Sequence, residues 1–198
     1  MMGASRMEEY PVDLSQWLVA EHNDTAARLR GQVLDLVPPD RRLERPGGGS
    51  PILWNTFHIA RHAALALTLL SPGAGPGAPP WLEGLVRDEG SVAVAGLEEA
   101  AAPWGDSLSA ADVDRYLEEV LARVREFLAD PRVDFDAIPD VSGGLARAGI
   151  GAGKVAWLQK MWTGKPVAWL VRWPLTGHVC NHVGEMLATR NRMGLSPF

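Results

Sequence analysis

The chain has 198 residues, of which 46% are hydrophobic and 22% are charged, and its formal net charge is −5. These values are typical of one globular domain, which we expect to span residues 1–198. No basic block indicates nucleic-acid binding, and no apolar run reaches the roughly 18 residues of a membrane span. The polar, acidic N-terminus does not resemble a signal peptide, and Cys180 is the single cysteine. A cytoplasmic protein without disulfides is therefore expected.

Two stretches in the first half of the chain have the hydrophobic period of an α-helix. The first runs from about Leu14 to Leu36. Its predicted apolar stripe consists of Leu14, Leu18, Leu29, Val33 and Leu36. The second begins at Ser50-Pro51, because serine suits the N-cap position and proline suits the first turn. It continues through Leu70 and ends at the sequence SPGAGPGAPP.

Two further helices are predicted in the second half of the chain. The third lies in ADVDRYLEEVLARVREFLADP, with Ser109 as N-cap and Pro131 beyond its end. Its predicted buried face consists of Val113, Leu117, Val120, Leu121, Val124 and Leu128. The fourth ends at Gly194, which fits the position after a helix C-cap. Two starts are open: Pro174 begins this helix, or Pro166 begins it and Pro174 kinks it.

The predicted fold class is all-α, a four-helix bundle. Residues 91–96 and the run RVDFD are too short to outweigh the four helices as strand candidates. The connections between helices 2 and 3 (72–108) and between helices 3 and 4 (including 132–153) are long and rich in Pro, Gly and Ala. The connection 72–108 is long enough to return along the bundle, so helices 2 and 3 can run parallel. We therefore expect an up-down-down-up order.

Four of the five histidines form two His-x-x-x-His pairs, His58 with His62 and His178 with His182. On a helix, residues four apart lie on the same face, so both imidazoles of a pair can reach one metal ion. Facing helices of a bundle commonly build metal sites in the core. Three imidazoles around an ion leave one position open, as in catalytic zinc sites. Nitrogen ligands favour Zn²⁺ or Ni²⁺ as the divalent metal.

Other polar residues have both functional and ordinary interpretations. Glu185 shares the histidine face of the fourth helix, but it is equally a solvated carboxylate or the partner of an arginine, Arg190 or Arg192. Cys180 lies about 200° round the helix from both neighbouring histidines and is expected to be a small core residue rather than a ligand. His22 is expected to be an ordinary hydrogen-bonded side chain. Tryptophans cluster before the second pair and are expected to form core or pocket wall: Trp157, Trp162, Trp169 and Trp173.

The segments SPILWNTFHIARH and GHVCNHVGE, in this order and separated by a long connection, resemble the DinB-like superfamily of metal-binding four-helix bundles. That group includes thiol-dependent enzymes such as the mycothiol-dependent maleylpyruvate isomerase and bacillithiol transferases. The resemblance implies an up-down-down-up bundle with His58, His178 and His182 as metal ligands. His62 departs from the pattern, since this position is often acidic or polar in relatives. Members of the family are often dimers, so a homodimer is an expectation for this chain.

The resemblance implies transfer of a low-molecular-weight thiol, such as mycothiol or bacillithiol, to a small electrophile. Glu185 and His62 are the candidates for orienting a ligand or moving a proton in such a reaction. Two alternatives stay open from the sequence. One is a metal-dependent hydrolase, in which water is the nucleophile. The other is a non-catalytic bundle that binds a metal or a small molecule, which a closed four-ligand site using both His58 and His62 would favour.

Overall fold

A computed structural model describes residues 13–73, 75–86, 92–98 and 103–197. The regular elements assigned in this part of the chain are all helical. The main helices are α1 (Leu14–Leu29), α2 (Ile52–Leu70), α3 (Ala110–Ala129), α4 (Val141–Arg147), α5 (Ala156–Trp162), α6 (Val167–Leu170) and α7 (His178–Arg192). The all-α prediction is confirmed for the described residues. Residues 1–12, on which the signal-peptide argument was based, lie outside them.

Helix α1 begins after Asp13, whose side chain accepts a hydrogen bond from the backbone N–H of Gln16 at 3.1 Å. A π-helical segment, Arg30–Leu34, continues it, so the predicted range is confirmed to within two residues. The middle of the predicted stripe is buried, whereas Leu14 and Leu36 at its two ends are exposed. Including these two in the apolar stripe was wrong, because the helix passes the core only along its centre.

Helix α2 is the central helix of the fold, and its residues are buried on every face from Ile52 to Leu67. A helix that is apolar all round is expected in this position. Its N-cap is Pro51, one residue later than the predicted Ser50 cap. Its buried polar residues include Arg61 and the histidine pair, which are described below.

Helix α3 has the predicted amphipathic character. The side chain of Ser109 accepts the hydrogen bond of the Asp112 backbone N–H, so the predicted cap is confirmed. The six residues predicted to line its buried face are all buried. The helix ends at Ala129, shortly before Pro131.

The connection after α3 contains the short helices α4 and α5, which the sequence did not predict. Helix α6 then begins after Pro166, and a π-helical segment, Val171–Gly177, joins it directly to α7. Pro174 lies inside this π-helical segment, so the second of the two predicted starts is the one observed. Gly194 follows the C-cap with a φ angle of +74°, as predicted for the residue that ends this helix.

Helices α1 and α3 run antiparallel. Near the start of α1, the Ser15 hydroxyl donates to the carbonyl oxygen of Leu128 at the end of α3. Beyond the end of α1, Arg30 forms an ion pair with Glu118 in the first half of α3.

Helices α2 and α3 run parallel. The rings of Phe57 and Tyr116, both in the first halves of their helices, have centroids 6.2 Å apart. Leu70 at the end of α2 and Phe127 near the end of α3 line the same surface depression.

Helices α2 and α7 run antiparallel. Thr56 contacts Met186 near the end of α7, and the ring of His62 lies 4.5 Å from that of His178 at its start. Taken with the other two pairings, these contacts agree with the predicted up-down-down-up order. None of the described helices is long and apolar enough to cross a membrane.

Candidate metal centre

Helices α2 and α7 bring the two histidine pairs together inside the bundle. The ring centroid of His58 lies 5.0 Å from that of His178 and 4.8 Å from that of His182. The rings of His62 and His178 are 4.5 Å apart. All four imidazoles are buried. The four histidines therefore form one cluster built from two facing helices.

Backbone carbonyl groups fix the orientation of the two α2 imidazoles. Nδ1 of His58 lies 2.7 Å from the carbonyl oxygen of Gly96, and Nε2 of His62 lies 2.8 Å from that of Leu97. A carbonyl oxygen only accepts, so each of these nitrogens carries the proton and donates. In a neutral ring the second nitrogen then has a free lone pair. For His58 this atom is Nε2, which is buried and has no hydrogen-bond partner.

The carbonyl groups that orient these histidines belong to segment 92–98. Arg61 of α2 binds this segment through hydrogen bonds. The Arg61 guanidinium donates to the carbonyl oxygens of Ala95 and Ala93 at 3.0 and 2.8 Å. Gly96 has a φ angle of +80°, and a Cβ atom there would lie 2.6 Å from Cε1 of Phe57. Only glycine fits this close approach. Neither Arg61 nor Gly96 was predicted from the sequence, although a single charged residue within the apolar stretch FHIARHAALAL is a usable signal.

The α7 imidazoles are arranged differently. Nδ1 of His182 lies 2.8 Å from Oε2 of Glu185, and Nε2 of His182 lies 3.1 Å from Nε2 of His178. Nδ1 of His178 is buried without a hydrogen-bond partner. The Glu185 side chain is 60% exposed and pairs with His182. The alternative pairings of Glu185 with Arg190 or Arg192 are not observed within the part of the chain that the structure describes.

This arrangement fits a divalent metal ion. The Nε2 atom of His58 is an unsatisfied buried nitrogen, and metal coordination would satisfy it. The Nε2–Nε2 separation of 3.1 Å between His178 and His182 is close to the roughly 3.3 Å that two nitrogens adopt around tetrahedral zinc. Ligand atoms of His58, His62 and His178 also lie within 4.8 Å of one another. His58, His62 and His178 are thus the histidines whose ligand atoms the described structure groups for one ion, and His182 lies beside this set through its contact with His178.

Burial keeps these imidazoles neutral. It lowers the pKa of His58 to about 3, of His62 to about 4 and of His178 to about 2. The neighbouring imidazoles lower these pKa values further, because each disfavours a second positive charge in the cluster. The neutral form is the one that binds a metal. The cluster is thus ready for metal binding at neutral pH.

A cavity of about 400 Å³ leads to the cluster. The residues that line it are His58, His62, Leu97, Glu98, Trp157, Met161, Trp162, Trp173 and His178. Three of the four clustered tryptophans line this cavity, as expected for a pocket wall. The fourth, Trp169, lies outside it, with Nζ of Lys165 at 5.6 Å from its ring centroid. His62 faces the cavity, whereas His182 does not line it.

Two other predictions about polar residues had different outcomes. Cys180 is exposed, and its sulfur lies 3.3 Å from Oγ1 of Thr25, so its prediction as a core residue was wrong. His178 and His182, four residues apart, face the bundle interior, and Cys180 between them lies on the outer side of α7. His22 is buried, with Nε2 at 3.0 Å from the carbonyl oxygen of Leu121, and is the hydrogen-bonded side chain that was predicted.

The family model of the DinB superfamily matches residues 18–186. The chain therefore belongs to the DinB superfamily. Comparisons with curated protein sequences and with solved structures gave no significant match.

Proposed function

We propose that this chain is a metal-dependent thiol S-transferase that joins a low-molecular-weight thiol, such as mycothiol or bacillithiol, to a small electrophile. The observation that carries the proposal is the cavity of about 400 Å³ that ends on a buried cluster of neutral imidazoles. Such a cavity has room for a small molecule beside the cluster. In a set of nitrogen ligands, Zn²⁺ or Ni²⁺ supplies Lewis-acid activation of a thiol.

We assign His58, His178 and His182 as the ligands of this metal. Two of them are anchored through the ring nitrogen that does not face the cluster, His58 by Gly96 and His182 by Glu185. Metal-ligating histidines in proteins almost always have such a partner. The competing set replaces His182 with His62, whose ring is anchored in the same way by the carbonyl oxygen of Leu97. His62 lies on the cavity wall, where it is better placed to contact a substrate.

The thiol must come from outside the chain. Cys180 is the single cysteine, and it lies on the exposed side of α7 beside Thr25. It therefore has no route to the cavity. A low-molecular-weight thiol entering the cavity would meet His62 and His178 on one side and tryptophan side chains on the other.

Two polar residues would support the reaction. His62 donates through Nε2 to Leu97, so its Nδ1 is the acceptor that could take a proton from an entering thiol. Glu185 is exposed and pairs with His182, which suits orientation of a metal ligand better than contact with substrate. The buried ring of Trp162 would exclude water from the inner part of the cavity.

One observation favours a second candidate function. Because the rings of His58 and His62 lie 4.6 Å apart within the same cluster, all four histidines could surround one ion. A closed site of four ligands is typical of a structural metal. The chain would then be a non-catalytic binding protein.

The first experiment measures thiol consumption by the metal-loaded protein, with 1-chloro-2,4-dinitrobenzene as electrophile and mycothiol, bacillithiol, glutathione or cysteine as thiol. We expect acceleration by at least one thiol, loss in His58→Ala and retention in Cys180→Ser. Ester cleavage that needs no thiol would instead identify a metal-dependent hydrolase. Bound metal without either reaction would identify the non-catalytic protein.

A further inference from the structure

The charged side chain among the described residues that line the cavity is acidic. Glu98 is the only lining residue with a carboxylate, and no lysine or arginine lines the cavity among the described residues. The imidazoles of His58, His62 and His178 line its inner end. The remaining lining residues are apolar or aromatic. Among the described residues, the carboxylate of Glu98 is thus the feature of the cavity wall that can select a ligand by its charge.

Glu98 lies at the outer end of this cavity next to Trp157. The indole Nε1 of Trp157 donates to Oε1 of Glu98 at 3.1 Å. Trp157 is 42% exposed, so this pair faces solvent, while its ring centroid lies 6.1 Å from that of buried His62. The hydrogen bond uses one carboxylate oxygen and leaves Oε2 of Glu98 available to a ligand.

A second indole lies beside the other imidazole at the inner end. The ring centroids of Trp173 and His178 are 6.1 Å apart. Trp157 is therefore the neighbour of His62, Trp173 is the neighbour of His178, and the two imidazoles are neighbours of each other. An apolar ligand body placed against the two imidazoles would have an indole near each of them.

We propose that the cavity accepts a small organic cation, an amine or quaternary ammonium compound with an apolar body. The cationic group would lie against Glu98 and the Trp157 ring, because the face of an indole attracts positive charge and a carboxylate adds to this attraction. The apolar body would extend between the indoles toward the imidazoles. Anionic compounds of the same shape would meet the Glu98 charge and be disfavoured. This inference deepens the proposed function by naming the substrate class, and it rests on that function only in using the same cavity.

The test compares three probes of similar shape on the full-length, chelator-treated protein: benzyltrimethylammonium, benzyl alcohol and benzenesulfonate. Binding is followed by calorimetry and by quenching of tryptophan fluorescence. We expect the cation to bind about fivefold more tightly than the alcohol, and the sulfonate to bind least tightly. The variant Glu98→Gln should lower the preference for the cation to about twofold or less while leaving the alcohol affinity unchanged.

The variant Glu126→Gln is the matched control, because Glu126 is an exposed carboxylate on α3 that pairs with Arg123 far from the cavity lining. It should keep the full preference, and Trp157→Leu should weaken binding of the cation most. Equal binding of sulfonate and cation, or a preference that survives Glu98→Gln, would overturn the proposal. The same titrations on metal-loaded protein, together with the thiol-transfer assay, distinguish failure of this inference from failure of the proposed function. A cation preference without metal binding would refute the proposed function alone, and metal-dependent thiol transfer without a cation preference would refute this inference alone.

Discussion

The carboxylate of Glu185 accepts a hydrogen bond from Nδ1 of His182, and the two atoms lie 2.8 Å apart. A carboxylate can only accept, so Nδ1 of His182 carries a proton, and in the neutral form of the ring Nε2 then carries a lone pair. That lone pair points toward Nε2 of His178, 3.1 Å away. An exposed acidic residue thus sets the tautomer of a buried imidazole in the geometry that a metal ligand needs.

Replacing Glu185 with glutamine tests this relationship. The Glu185→Gln variant should bind metal about 10- to 100-fold more weakly, because loss of the partner of a ligating histidine typically has an effect of this size. Competition titration with a coloured chelator measures the affinity. Glu126→Gln removes an equally exposed carboxylate and should have no effect. An unchanged affinity in Glu185→Gln would mean that His182 is not a ligand or does not depend on this carboxylate.

Comparison of His182→Ala with His62→Ala identifies the ligand set. Both residues are buried members of the cluster, so each variant loses a similar volume. We expect His182→Ala to lose tight metal binding and His62→Ala to retain about one ion per chain, as a three-histidine site requires. Elemental mass spectrometry of protein purified without nickel affinity measures metal content. The reverse result would assign the set His58, His62 and His178.

The stability of the metal-free protein should fall as the pH falls below about 6.5. The folded pKa values of His58, His62 and His178 are about 3, 4 and 2, all below the ordinary value of 6.5. Below pH 6.5 the unfolded chain therefore binds protons that the folded chain does not, which favours unfolding. The contribution of these histidines to the free energy of unfolding is fully present above about pH 6.5. It declines toward pH 4, with a slope of up to about 1.4 kcal/mol per pH unit for each histidine.

Denaturant unfolding at a series of pH values between 7.5 and 4.5, with chelator present, measures this dependence. The His62→Gln variant should have a smaller slope, because one proton-binding difference between the two states is removed. A free energy of unfolding that stays constant across this range would contradict the assignment of the cluster as buried and neutral.

The same substitution should have opposite effects at two glycines. Gly184 is an exposed position inside α7, and a Cβ atom there would meet nothing within 4 Å. Gly184→Ala should stabilise the protein by about 0.5–1 kcal/mol, because alanine is the better helix former. Gly96→Ala should destabilise it by roughly 1–3 kcal/mol, since its φ angle is +80° and the added Cβ would collide with Phe57.

Thermal or denaturant unfolding of both glycine variants measures these changes. Gly96→Ala should also weaken metal binding, because displacement of segment 92–98 moves the carbonyl group that orients His58. If Gly96→Ala were as stable as the parent and bound metal equally well, that segment would have no part in holding the site.

The sequence predicted those parts of the fold that depend on local patterns. The period of the apolar residues indicated the long helices, and local chemistry indicated the cap at Ser109 and the end at Gly194. Helices α4 and α5 were missed because each has only seven residues, and α4 also lies in a stretch rich in glycine and alanine. Short or glycine-rich segments contain too few large apolar residues for a helical spacing to be recognised.

For the site, spacing within a helix was informative and contacts across the fold were not. The two histidine pairs were visible as four-residue spacings, and the structure brings them together. The role of segment 92–98 was not visible, because the carbonyl groups of Gly96 and Leu97 act on residues 38 and 35 positions earlier. A backbone acceptor has no residue type of its own, so no sequence pattern reveals it.

The π-helical segment Val171–Gly177 determines on which side of the helix Trp173 lies relative to the histidines of α7. Trp173 and His178 are five residues apart, and in a regular α-helix they would point about 140° away from each other. A π-helix bonds each residue to the fifth one along, so these two rings come to the same side, 6.1 Å apart at their centroids. Deleting one residue between Trp173 and His178 would rotate Trp173 and α6 relative to α7 by about 100°. Trp173 can therefore be turned away from the cavity by a change of one residue in chain length, without altering any histidine of the cluster.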